Sequence, residues 1–163
     1  MAGLGVHFAL DGEQLEGLLQ REDQDELRAR VDDLEDGWDE QWSQETDEAW
    51  EAIHRCLADG TLDPKGGSAP LNLAVLGGED LSGDPDFRAV LVRPEQVRAV
   101  AAALAGVEEA AFRARYATLE AKGYARHSEE DDLDYTWDWF LELREFYLQA
   151  AEAGRAVLFT VGV

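Results

Sequence analysis

At 163 residues, 45% of them hydrophobic, the chain is long enough for one globular domain whose core needs no covalent staple. Its single cysteine, Cys56, excludes an internal disulfide framework and a four-cysteine zinc site. The 36 acids against 14 bases leave a net charge of −22, which argues against binding nucleic acid through phosphates and against anionic membrane surfaces.

Leu4–Leu10 is an apolar stretch with Val6 and Phe8 on alternate positions, and it predicts a short strand. Asp11 is placed to cap a following helix that carries Leu15, Leu18 and Leu19. Between Glu22 and Glu51 stand 14 acids and only two bases, Arg28 and Arg30. Leu27, Val31 and Leu34 recur there at helical spacing, so a solvated amphipathic helix is expected, with Trp38 and Trp42 tacking the acidic segment onto the body. Thr46 is expected to cap the next helix, whose apolar face is Trp50, Ile53 and Leu57 and whose stop is Gly60.

Asp63 to Ser68 reads as a loop. Leu71–Leu76, an apolar run between Pro70 and Gly77-Gly78, is expected to be a buried central strand. A polar loop, Glu79–Asp86, leads to a further strand at Phe87–Val92. Pro94 suits the first turn of a helix with the stripe Val97, Val100, Ala101 and Leu104, although Arg93 is a poor capping residue. A helix with Phe112 and Tyr116 follows, then an acidic knot, Glu129–Asp134. Phe140, Leu143, Tyr147 and Ala150 mark the last helix, Gly154 closes it, and Ala156–Val161 is the final strand. The fold class expected is α+β, a single domain over 1–163 with a small mixed sheet of about four strands covered on one face by about six helices.

Three segments recur in this order in the YfbM-like family, a bacterial family of unknown function. They are Ala49-Trp50-Glu51-Ala52-Ile53-His54, Pro70-Leu71-Asn72-Leu73-Ala74-Val75-Leu76-Gly77-Gly78, and Arg93-Pro94-Glu95-Gln96-Val97. The tail Phe146-Tyr147-Leu148-Gln149-Ala150-Ala151, with Gly154 and a terminal strand, resembles the family as well. The resemblance implies a single α+β domain in the bacterial cytoplasm and implies no reaction. Glu51 stands where the family often has His, and Tyr124-Ala125 where it often has Tyr-Pro. The first departure weakens any two-histidine metal site.

No zinc-protease, nucleophile-elbow, phosphate-loop or EF-hand pattern is present, and no cofactor or resident metal is expected. His54 shares a helix face with Trp50 and would suit a general base in a cleft, although a packing histidine is the simpler reading. Gly77-Gly78-Glu79 could offer backbone N–H groups to an anion with Arg88 as counter-charge; the plainer reading is a turn needing positive φ. Cys56 is expected to be a buried thiol. His127 beside Glu129–Asp132 is more simply solvated surface than a metal site, and the Trp137, Trp139, Phe140 and Phe146 cluster more simply core than ligand box.

Two functions stay open. One is a non-catalytic acidic binding module for a basic protein partner, of the toxin-neutralising type among others. The alternative is an enzyme acting on a small anionic metabolite in a cleft near Gly77, Arg88 and His54. The candidate ligand or partner site is Trp50, His54, Gly77, Gly78, Glu79 and Arg88, in a cytoplasmic protein that binds neither nucleic acid nor membrane.

Overall fold

The computed structural model describes residues 3–125 and 129–162. Alternation along β1 (Gly5–Leu10) sends Val6, Phe8 and Leu10 to one layer and His7 and Ala9 to the other. The same division runs through β4 (Phe87–Val92) and β5 (Ala156–Gly162). In β5, Ala156 and Leu158 face one core, and Val157, Phe159 and Val161 face the second. A strand buried on both sides reads as a nearly continuous apolar run, which is why Ala156–Val161 shows so little polar punctuation.

The sheet has five strands in the order β2-β1-β5-β4-β3, with β2 at Ser43–Asp47 and β3 at Glu79–Asp80. Every neighbouring pair is antiparallel, so the expected mixed sheet is corrected to an antiparallel one with one more strand than anticipated. The two ends of the chain lie side by side at its centre: Phe8 stands opposite Leu158, and Leu158 opposite Leu91.

Helices cover both faces of the sheet, not one. On the first face lie α1 (Gly12–Leu19) and α2 (Gln24–Asp36), which bring Leu18, Leu27 and Val31 against Phe8, Leu10 and Leu91. Asp11 caps α1 in a capping box with Gln14, and Asp23 caps α2 by accepting from the Glu26 N–H at 2.9 Å. On the second face lie α3 (Trp50–Leu57), α4 (Pro94–Ala105), α5 (Glu109–Tyr116) and α6 (Glu129–Glu152). The stripes read from the sequence are all inside: Val97, Val100 and Leu104 on α4, and Phe140, Leu143, Tyr147 and Ala150 on α6, are fully buried. No helix among the described residues is long and apolar enough to cross a membrane.

Two local expectations are corrected. Leu71–Leu76 forms no strand; Leu71–Leu73 is a single 3-10 turn, and Ala74, Val75 and Leu76 then run through the second core. A short apolar run identifies burial without identifying its backbone. Thr46 caps nothing: it sits inside the edge strand β2, and α3 starts from Ala49 without a side-chain cap. Ser-Gln-Glu-Thr-Asp has little intrinsic strand character, and pairing with β1 overrides it.

Candidate functional site

The residues expected to gather around one cleft separate into two environments. Helix α3 turns its Trp50 and His54 into the second core, where they are 4% and 1% exposed. The Trp50 ring packs 5.8 Å from that of Phe159, and its Nε1–H donates to the Gly3 carbonyl at 2.8 Å. His54 Nε2 lies 3.0 Å from the Asp63 carbonyl, so the tautomer that satisfies this contact carries its proton on Nε2. Burial, opposed by that hydrogen bond, lowers the His54 pKa and holds the ring neutral. The ring ties the loop after α3 to the helix.

Gly77, Gly78 and Glu79 do converge. They border a shallow cavity of ≈ 380 Å³ together with Lys65, Arg93 and Gln96. Neither glycine has positive φ, so the turn reading is corrected: both are close-approach positions. A Cβ on Gly77 would stand 2.2 Å from the Asn72 carbonyl oxygen, and one on Gly78 2.5 Å from that of Leu91. Arg88 lies further along β4, opposite Val161, whereas Glu79 pairs in register with Leu91. The base facing Glu79 is Arg93, at 3.5 Å. Glu95 borders the same cavity, so its two bases are balanced by two acids.

The acidic surface is built differently. Leu27 and Val31 hold α2 to the sheet, which leaves Asp25, Asp32, Asp33, Glu35 and Asp36 on its solvent side, continued by Asp39 and Glu40. The bases of this segment do not pair with these acids. Arg28 lies over the Phe87 ring, 4.0 Å from its centroid, and Arg30 lies against Gly17 of α1. Desolvation first, and the neighbouring Asp32 second, push the Glu35 carboxyl above its usual range; Arg28 only partly offsets them. Ion pairs are seen at Glu51, Glu79, Glu109 and Asp134, none of them on the solvent side of α2. Trp38 stands at the end of this ridge, 40% exposed, touching Phe8 edge-on at 6.0 Å.

The second acidic segment is less solvated than its composition suggests. Tyr116 and Tyr124 both donate their hydroxyls to Asp132 Oδ2, and Arg113 spans Glu109 and Asp134. His127 lies outside the described residues. Among the described residues no three His, Cys, Asp or Glu side chains are grouped to hold a metal ion. Cys56 is buried as expected, and burial pushes its thiol up to about 12. Trp137 and Phe140 stack at 5.3 Å within the core, as the packing reading anticipates.

Residues 1–160 match a domain of unknown function, DUF1877. The chain belongs to this family. Its fold is shared with a solved structure described as a protein of unknown function, YfbM, from Escherichia coli. The likeness covers 97% of this chain and 99% of that one, with a TM-score of 0.71 and 20% identity. No curated protein matches the chain. Sequence reasoning missed Trp38 as a surface feature and Arg93 as the partner of Glu79. Both depend on strand and helix placement that local spacing does not encode.

Proposed function

We propose that this chain is a non-catalytic acidic binding module in the bacterial cytoplasm, whose α2 ridge receives a basic protein partner. One observation carries the reading: an exposed tryptophan, Trp38, adjoins a row of carboxylates whose own arginines are turned to other contacts. Tryptophan is enriched among the residues that dominate binding energy at interfaces. Its ring face also accepts a guanidinium or ammonium group. The surrounding negative field speeds encounter with a cationic partner and weakens as salt rises.

The test is a titration with an arginine-rich peptide, followed by tryptophan fluorescence and calorimetry at low and physiological salt. The triple variant Asp32→Asn, Glu35→Gln, Asp36→Asn should lose most of the binding, and Trp38→Ala a part of it. Neutralising Glu130, Asp131 and Asp138 on α6 should leave it intact. Equal loss from both sets would reduce the effect to net charge and sink the proposal.

The enzyme reading retains the cavity beside Gly77 and Arg93 as its support. Neither His54 nor Arg88 borders that cavity, so the histidine base and the counter-charge this reading invoked do not face a metabolite bound there.

A further inference from the structure

A second concavity, of ≈ 400 Å³, opens between α3, α4 and α5 on the other face of the sheet from α2. It is lined by Leu57, Leu71, Val107 and Phe112, with the small side chains of Ala103 and Ala111 at its border. Leu71 and Val107 are half-buried although both pack against the second core, so apolar surface faces the cavity. The volume lies within the range of sites for small organic ligands.

One base borders this apolar space. Arg115, in the last turn of α5, donates from Nη1 to the Cys56 carbonyl at 2.9 Å, which fixes the guanidinium at the cavity's edge. No ion pair joins it to an acid among the described residues, although Glu108 also borders the cavity. A guanidinium has five N–H donors in a planar fork that suits a carboxylate, so this one has donors to spare. In a chain with 36 acids, a base held at an apolar mouth without an acid partner departs from the surrounding charge pattern. Cys56 beneath it contributes packing, because its buried thiol stays protonated at neutral pH.

The geometry points to a binding site for a small molecule with an apolar body and one carboxylate, the body against Leu57, Leu71, Val107 and Phe112 and the carboxylate on Arg115. The net negative charge of the chain opposes the approach of any anion. Its reach is only about 8 Å at physiological salt, so the contact with Arg115 outweighs it at the mouth. This site is independent of the α2 ridge, and neither reading requires the other.

Octanoate is the probe, with 1-octanol and octylammonium as neutral and cationic matches, followed by amide chemical shifts of the full chain. Octanoate should give saturable shifts at Gly106, Val107, Ala111 and Arg115 and bind more tightly than either match. Arg115→Gln should weaken octanoate by about tenfold, the scale of one lost charge-assisted pair, and leave octanol unchanged. Ala111→Leu, at an exposed position that tolerates a larger side chain without unfolding, should fill the cavity and abolish both. The proposal is overturned if octanoate gives no saturable shifts there, or if Arg115→Gln affects octanoate and octanol alike. It is equally overturned if dilution shows that these residues bury a second copy of the chain.

Discussion

His7 and Tyr147 meet at one acceptor: His7 Nε2 and the Tyr147 hydroxyl each lie 2.8 Å from the Ala74 carbonyl, and their rings pack edge-on at 5.9 Å. One carbonyl therefore joins the sheet, α6 and the buried 71–76 segment. Both side chains are fully buried, and removing either takes away one of the two hydrogen bonds that this carbonyl accepts in a low-dielectric interior.

Burial lowers the His7 pKa to about 4, against an ordinary value of 6.5. The unfolded chain thus binds a proton that the folded chain refuses between those two values. Stability from this group is complete above pH 6.5 and is lost as pH falls toward 4, by ~3 kcal/mol in all. Urea unfolding at pH 7 and pH 5 should show this loss in the native chain. In His7→Phe, which cannot titrate, the difference between the two pH values should shrink. An unchanged difference would assign the acid sensitivity to other groups.

Trp50→Ala should cost more than His54→Ala. The first opens a large cavity beside Phe159 and forfeits the bond to Gly3, about 3–5 kcal/mol. The second loses one hydrogen bond to Asp63 and some packing, on the order of 1–2 kcal/mol. Denaturant midpoints of the two variants decide the order. A greater loss at His54 would mean that its contact with the loop after α3 organises more than local packing.

Gly77→Ala should destabilise by about 1–3 kcal/mol, because its new methyl would collide with a backbone carbonyl that has no rotamer by which to yield. Gly12→Ala is the control: at the start of α1 nothing lies within 4 Å of its Cβ. That substitution should be neutral or stabilise by up to about 1 kcal/mol through the unfolded chain. Thermal melts of the pair test whether Gly77 is kept for close approach. Equal melting temperatures would contradict it.

Raising salt from about 10 mM to 0.15 M shortens the screening length from roughly 30 to 8 Å, which should raise the melting temperature, most steeply at the low end. The triple neutralisation of Asp32, Glu35 and Asp36 should flatten this response, because those carboxylates crowd one another and Arg28 only partly offsets them. A melting temperature that ignores salt would mean that the surface acids are already compensated.

Periodicity along the chain was enough to place α4, β4, β5 and the later turns of α6, because each buries a regular stripe whose spacing matches its backbone. The acidic knot Glu129–Asp134 proves to be the first turns of α6. Periodicity also located the burial of Leu71–Leu76 and mistook its conformation, since an apolar run of that length suits a strand, a 3-10 turn or a buried loop equally. Strand β2 left no trace: its residues are polar, and what makes it a strand is the facing backbone of β1, distant in sequence. The candidate site divides on the same line. Gly77, Gly78 and Glu79 are contiguous and were found together.

What the sequence determined by itself is the charge, the α+β class and the side chains that go inside, all properties of composition and local period. What only the tertiary structure decided is which residues meet. Arg93 and not Arg88 faces Glu79, because antiparallel register sets the neighbour across β3 and β4. His54 reaches a loop carbonyl and not a cleft, because the chain after α3 folds back over it. Trp38 stays at the surface because Leu27 and Val31 claim the sheet beneath α2. Such pairings are long-range, and their free energy arises only once the chain has closed the loops that bring them together.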